Sequence, residues 1–405
     1  MSKKSLILTA AMAVAAAGMG VTSVAHADTE TRWTGTTGEV RDGDARFKMR
    51  GRFQYDILSS DFEDAGEEGT RSYTRRAFLG FQGRFTEHWR YKVDFVLTPG
   101  SSTTSVDDAF LEYAGDSFSL IIGESNVTSP LEDRTSSLDI PFNERSSIVN
   151  AFGYGRAAGL GLVFGGANWS FAAAAQGDSL NSTSNSYSSN EGTSFSARGT
   201  WAPIYSQTPE GLTLLHLGAH VRQRDLNPAE DDSINSRPLG GRGAVILETG
   251  LDARRDTTWG VEVAGQMGPF GVQAEYMSMD VDVDDVGNIS PTFDGYYVDL
   301  SWSLTGESRV YSASSGAFKG IKPANPVSEG GMGYWGLGLR YDSLDLSEGP
   351  VTATAGETDS YAVGLTWVPV SHVLFRLNWA HTEADYNSGG DSDADIVSLR
   401  TQFDF

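Results

Sequence analysis

Apolar and polar side chains alternate one by one along residues 46–57, RFKMRGRFQYDI. Phe47, Met49, Phe53, Tyr55 and Ile57 hold odd positions with Gly51 among them, while Arg46, Lys48, Arg50, Arg52, Gln54 and Asp56 hold the even ones. A period of two gives a strand with one apolar and one charged face. The alternation returns at Trp259, Val261 and Val263, at Tyr296, Val298, Leu300, Trp302 and Leu304, and at Trp335, Leu337, Leu339 and Tyr341. It recurs at Tyr361, Val363, Leu365 and Trp367, at Val373, Phe375, Leu377 and Trp379, and in the final IVSLRTQFDF, up to Phe405. Counted conservatively, this predicts sixteen strands, near 45–58, 72–86, 88–98, 105–115, 117–124, 156–166, 167–177, 192–203, 211–225, 256–267, 270–282, 293–305, 331–346, 357–369, 371–385 and 394–405.

The connections alternate as well. FTEHW, GGANW, MGPFG and VPVSH are tight turns, whereas 59–71, 125–155, 178–191, 225–255 and 386–394 are longer, polar and mostly acidic. Short turns on one rim and long loops on the other describe an all-β transmembrane antiparallel β-barrel, whose even strand count returns both termini to the short-turn, periplasmic rim. Residues 306–330 are the exception, a long connection where a short turn is expected. A soluble sandwich also alternates, but it centres its aromatics in a core. Here Trp, Tyr and Phe favour segment ends, as in the girdles at a bilayer interface. The charged face suits a water-filled lumen.

Composition sharpens the location. Lys3 and Lys4 precede an apolar run from Leu6 to Gly20, and Ala25-His26-Ala27 fits a small-x-small cleavage pattern, so residues 1–27 are expected to be a removed signal peptide and 28–405 the barrel. Beyond Ala27 no stretch approaches eighteen consecutive apolar residues, which excludes a helical membrane protein. The 405 residues include no cysteine, so neither disulfides nor thiolate chemistry is available. Loss of Lys3 and Lys4 shifts the formal charge from −23 to −25, which argues against nucleic acid as a partner.

Other motifs carry little. DVDVDDVG, residues 280–287, lacks the Gly and distal Glu of an EF-hand and reads as an acidic external tip. GYGRAAG, residues 153–159, leads into a strand without a βαβ pattern, so it is no dinucleotide site. The histidines are scattered. No catalytic residue, metal ligand or cofactor is expected, and a barrel hydrolase has no support.

Several stretches together resemble the phosphate-selective porin O and P family of Gram-negative outer membranes. They are SWSLTGESRVYSASSGAFKGIKPANPVSEGGMGYWGLGLRY at 301–341, RRAFLGFQGRFTEHWRYKVDF at 75–95, DDAFLEY at 107–113, IGESNVTSPLEDRTSSLDIPFNERS at 122–146 and the terminal RTQFDF. The resemblance spans essentially the whole mature chain and accounts for the long connection at 306–330. It implies a sixteen-stranded homotrimeric porin whose third extracellular loop folds into the lumen, basic side chains lining an anion path, and a terminal aromatic read by the barrel-assembly machinery, here Phe405. Membrane lipid and lipopolysaccharide would surround it.

The loop 125–155, with Arg134 and Arg145, is the expected constriction. Arg46, Lys48, Arg50 and Arg52 share one face of the first strand at about 6.6 Å intervals. Arg400 on the closing strand, Arg376 beside it, Arg76 and Arg84 on the second strand, and Arg90 and Lys92 on the third have the same lumen parity. One reading makes them a basic ladder for small anions, phosphate first, since the guanidinium fork binds oxyanions and stays charged. The other pairs them with lumen acids such as Asp56, Asp94, Asp108, Glu112 and Asp404, and dicarboxylates or sugars are alternative solutes. The sequence leaves these open.

Overall fold

The computed structural model describes residues 29–34, 37–62, 68–98, 104–181, 192–226, 233–240, 244–283, 290–349 and 351–405. The expected signal peptide lies outside them, as do residues 284–287 of the acidic tip. Sixteen antiparallel strands close a barrel: β1 (Ala45–Phe62), β2 (Gly69–Arg84), β3 (Trp89–Leu97), β4 (Thr104–Ala114), β5 (Phe118–Ser125), β6 (Ala157–Gly165), β7 (Trp169–Gln176) and β8 (Thr193–Thr208). The second half comprises β9 (Gly211–Asp225), β10 (Ala253–Met267), β11 (Phe270–Val283), β12 (Thr292–Ser303), β13 (Tyr334–Asp345), β14 (Gly356–Val370), β15 (Val373–Tyr386) and β16 (Gly390–Asp404). All sixteen expected strands are present.

β16 closes on β1, with Ala394 opposite Phe62 and Asp404 opposite Arg52. Closure removes the unpaired edges that hydrocarbon does not tolerate. Phe405 continues the pairing: it exchanges two backbone hydrogen bonds of 3.0 Å with Gly51, and its ring lies where a side chain at Gly51 would stand. Below this point residues 45–48 pair with the strand Thr37–Asp42 of an N-terminal hairpin.

The apolar parity faces outward as the alternation predicts: Phe47, Ile57, Val261, Leu300, Leu377, Val397 and Leu399 are all exposed on the barrel exterior. Trp302 stacks on Phe270, and Trp335 and Phe375 flank Trp367, forming part of a girdle near the short-turn rim. Near the long-loop rim the same outward parity brings Asp294, Asp345, Glu357, Asp385 and Asp391 into direct opposition across five successive strands, β12 to β16.

The inward face departs from a uniformly polar lumen. Leu58, Phe62, Met277, Met279, Val281, Phe293 and Leu344 point inward and form one apolar cluster with Phe142, Ile148, Val149 and Phe152 of the loop between β5 and β6. A loop held at membrane depth needs such a bed, because polar walls alone would leave its own apolar side chains in water.

Candidate functional site

The loop after β5 lies inside the barrel, against the inward faces of β11 and β13. It carries two short helices, α1 (Leu131–Arg134) and α2 (Ser147–Phe152). The first amides of α1, Leu131 N and Glu132 N, donate to the Glu275 carboxylate of β11 at 2.9 and 2.7 Å. The amide of Ser147 donates to Asp342 of β13 at 2.7 Å. Helix N-termini favour such carboxylates because their first N–H groups have no internal acceptor. Arg340 of β13 ties the two sides together: its guanidinium donates bidentately to Asp299 at 2.7 Å, to the Glu132 carboxylate and to the Glu144 carbonyl, between the rings of Phe142 and Tyr297.

The expected basic residues fall into two groups. Arg46, Arg84 and Arg90 are direct cross-strand partners at the short-turn rim, and Lys48 and Lys92 flank Gln82 in the next inward row. Arg50 donates to Gln82 at 3.0 Å and lies 3.5 Å from Asp94, while Arg52 donates to Ser137 of the loop at 2.7 Å and lies over the Phe78 ring. The second group holds the loop. Arg400 is 0% exposed, forked onto Asp56 at 2.8 and 2.7 Å and bonded to Glu144 and the Asn143 carbonyl. Arg76 donates to Gln54, Arg376 to Thr366 and the Phe142 carbonyl, and Arg145 to three loop carbonyls. Arg400 therefore positions the constriction and has no surface left for a solute.

Much of the predicted acid pairing is present. Lys92 bonds Asp108, Arg90 lies 4.0 Å from Glu112, and Asp404 is taken by His372 at 2.7 Å. Two bulges add residues that simple alternation assigns to the lipid face. The bulge at Arg75 turns its guanidinium inward, where it forks onto Glu144 at 2.6 and 2.7 Å, and the bulge at Asp107 places that carboxylate 3.2 Å from Arg156. A bulge's extra residue shifts the parity of its strand locally. The Arg75 and Arg400 guanidiniums hold the Glu144 carboxyl well below the ordinary range against its burial.

The long connection between β12 and β13 also folds inward, which its sequence did not disclose. Its short hairpin, Val310–Ser312 with Ala317–Lys319, meets the wall through Arg198, which donates to the Ser315 and Gly316 carbonyls, and through Tyr311, whose hydroxyl lies 2.6 Å from His216. Phe318 and Tyr311 pack with Leu131 of α1, so loop and hairpin touch across the lumen. Between them Lys319 faces Arg134, Asp139 and Lys92, and its ammonium is lowered by burial and by the neighbouring cations. Arg134 is lowered to about 10 by burial and by Arg198, and so remains charged.

Burial pushes the Asp139 carboxyl up to about 6, with Asp404 adding to the rise and Arg309, Lys319 and Arg52 opposing it. An acid at that value is charged above pH 6 and neutral below, so the constriction gains one unit of positive charge on acidification. Anion preference in a planar bilayer is expected to rise as pH falls through about 6, and Asp139→Asn to flatten that rise. Equal slopes in the two proteins would assign the titration elsewhere.

Comparison with known proteins accords with this architecture. The sequence model of the phosphate-selective porin O and P family matches residues 47–405. Porin O of Pseudomonas aeruginosa is 28% identical over 405 residues, covering 90% of this chain and 89% of its own. Among solved structures, an anion-selective porin from Comamonas acidovorans superposes with a TM-score of 0.53 at 11% identity, covering 89% of this chain and 100% of its own. The trimer form of OmpT, an outer membrane protein of Vibrio cholerae, superposes with a TM-score of 0.53 at 10% identity, covering 89% and 99%.

Proposed function

Because the chain belongs to the phosphate-selective porin O and P family, and so to the Gram-negative outer membrane, we propose that it forms a water-filled channel for passive diffusion of small anions, with phosphate the leading solute. The observation that carries this reading is a set of lumen cations in ion-pair contact with no carboxylate. Among the described residues, Lys48 near the periplasmic mouth and Arg134 and Lys319 at the constriction have no ion pair. Charges at a narrow, low-dielectric constriction act more strongly than in bulk water, and a series of weak sites lets an anion leave as well as enter.

Arg46, Arg84, Arg90, Lys92, Arg50 and Arg52 would funnel anions from the mouth toward that pair. Arg76, Arg145, Arg376 and Arg400 would act mainly by positioning the loop. The partners proposed with this role are two further copies of the chain, membrane lipid and lipopolysaccharide around the apolar exterior, and the barrel-assembly machinery at Phe405.

In a planar bilayer under a KCl gradient the reversal potential should be anion-biased, and added phosphate should reduce the chloride current. Arg134→Gln with Lys319→Gln should lower the anion-to-cation permeability ratio several-fold. Cation selectivity of the unaltered protein would sink the proposal.

A further inference from the structure

A recess opens toward the periplasmic rim between loop residues 138–141 and the inner faces of β12 to β16. Two guanidiniums line it. Arg376 is 3% exposed, and its Nε and Nη1 are used by Thr366 and the Phe142 carbonyl, which leaves Nη2 without a protein acceptor among the described residues. Arg309, from the inward periplasmic segment, lies over the Phe318 ring at 3.7 Å and makes one long bond of 3.4 Å to Gln273. Its Nη2 is buried with no hydrogen-bond partner among the described residues. A buried donor left unsatisfied is costly, and a guanidinium more so.

One part of the remaining wall is apolar. Tyr334, Val368 and Leu374 form one cluster with Ile321, and Ile140 and Pro141 of the loop line the same space. A hydrated inorganic anion would make no use of that wall. Resting on the anion-passage reading above, we propose that this recess is a periplasmic-side station for small organic carboxylates, which set their carboxylate at Arg376 and Arg309 and their hydrocarbon body against Val368, Leu374 and Ile321.

Three protein carboxylates share the recess. Glu307 accepts from Thr305, Ser303 and the Ala324 amide, and Asp404 is bonded to His372. Asp139 alone has no side-chain hydrogen bond among the described residues, so it is the group a bound carboxylate would oppose. That opposition keeps the station weak, as conduction requires.

The test uses the full protein in planar bilayers, with benzoate or acetate added to each side in turn while chloride current is recorded. Benzoate is expected to half-block at a concentration about tenfold below that of acetate, since burying the ring adds apolar area. Val368→Asn should narrow that gap, Arg309→Gln should weaken block by both, and Asp139→Asn should strengthen it. Equal potency of benzoate and acetate in the unaltered protein, which needs no variant to fold, would overturn the station. So would a benzoate preference untouched by both Val368→Asn and Arg309→Gln. A cation-biased reversal potential would instead remove the anion-passage reading beneath it.

Discussion

Arg340→Ala is expected to loosen the inward loop around α1 and raise single-channel conductance with added open-channel noise. The reasoning follows from what the guanidinium holds. It is 4% exposed, forks onto Asp299 and reaches Glu132, itself 1% exposed, on the other side of the contact. Removing it leaves two buried carboxylates uncompensated, with Glu275 and Asp342 of the same wall close behind. Breaking a buried pair from one side costs about 3–5 kcal/mol. That is enough to loosen α1 and its neighbours, while Arg75 and Arg400 on Glu144 and the apolar bed of α2 keep the far side of the loop in place. The barrel itself should survive, because its ladder does not pass through Arg340's side chain. Arg340→Lys should fall between, keeping one charge but losing the fork. Conductance traces indistinguishable from the unaltered channel would show that the loop is held elsewhere.

Deletion of Phe405 is expected to reduce assembled protein in the outer membrane to a small fraction of normal. Two effects combine. The deletion removes the last pair of backbone bonds closing β16 on β1, and it removes the aromatic that the assembly machinery is proposed to read. Gly51→Val separates them. A branched side chain there occupies the space of the Phe405 ring while the terminal residue stays available in the unfolded chain. The variant should therefore be delivered to the membrane but show earlier heat dissociation on gels, whereas the deletion should fail earlier, at delivery. If both variants assembled to normal levels, neither the clasp nor the signal would matter here.

The barrel was legible because strand after strand repeats the same instruction, as in Phe47, Met49, Phe53 and Tyr55 outward with Arg50, Arg52 and Gln54 inward, and because short turns and long loops alternate around an even number of strands. For the inward loop, only the family resemblance pointed to the lumen. What escaped was whatever breaks period two or depends on distant packing. Arg75 reads as a lipid-face residue until the bulge beside Gln54 turns it onto Glu144. Met277, Met279 and Val281 fill inward positions with apolar side chains because α2 needs somewhere to lie, and no local signal announces that. Arg309 and Lys319 sit in a stretch without periodicity, so their arrival in the lumen could be seen only with the chain folded.

The five opposed carboxylates from Asp294 to Asp391 give the barrel a rim unlike its middle. Like charges facing each other across a ladder weaken the pairing between them. Counter-ions mute that repulsion over about 8–10 Å at physiological ionic strength and far less effectively in dilute buffer. Salt thus acts as a zipper for the outer ends of β12 to β16. Dilution lets those ends fray while the tryptophan girdle at the opposite rim keeps the strands together.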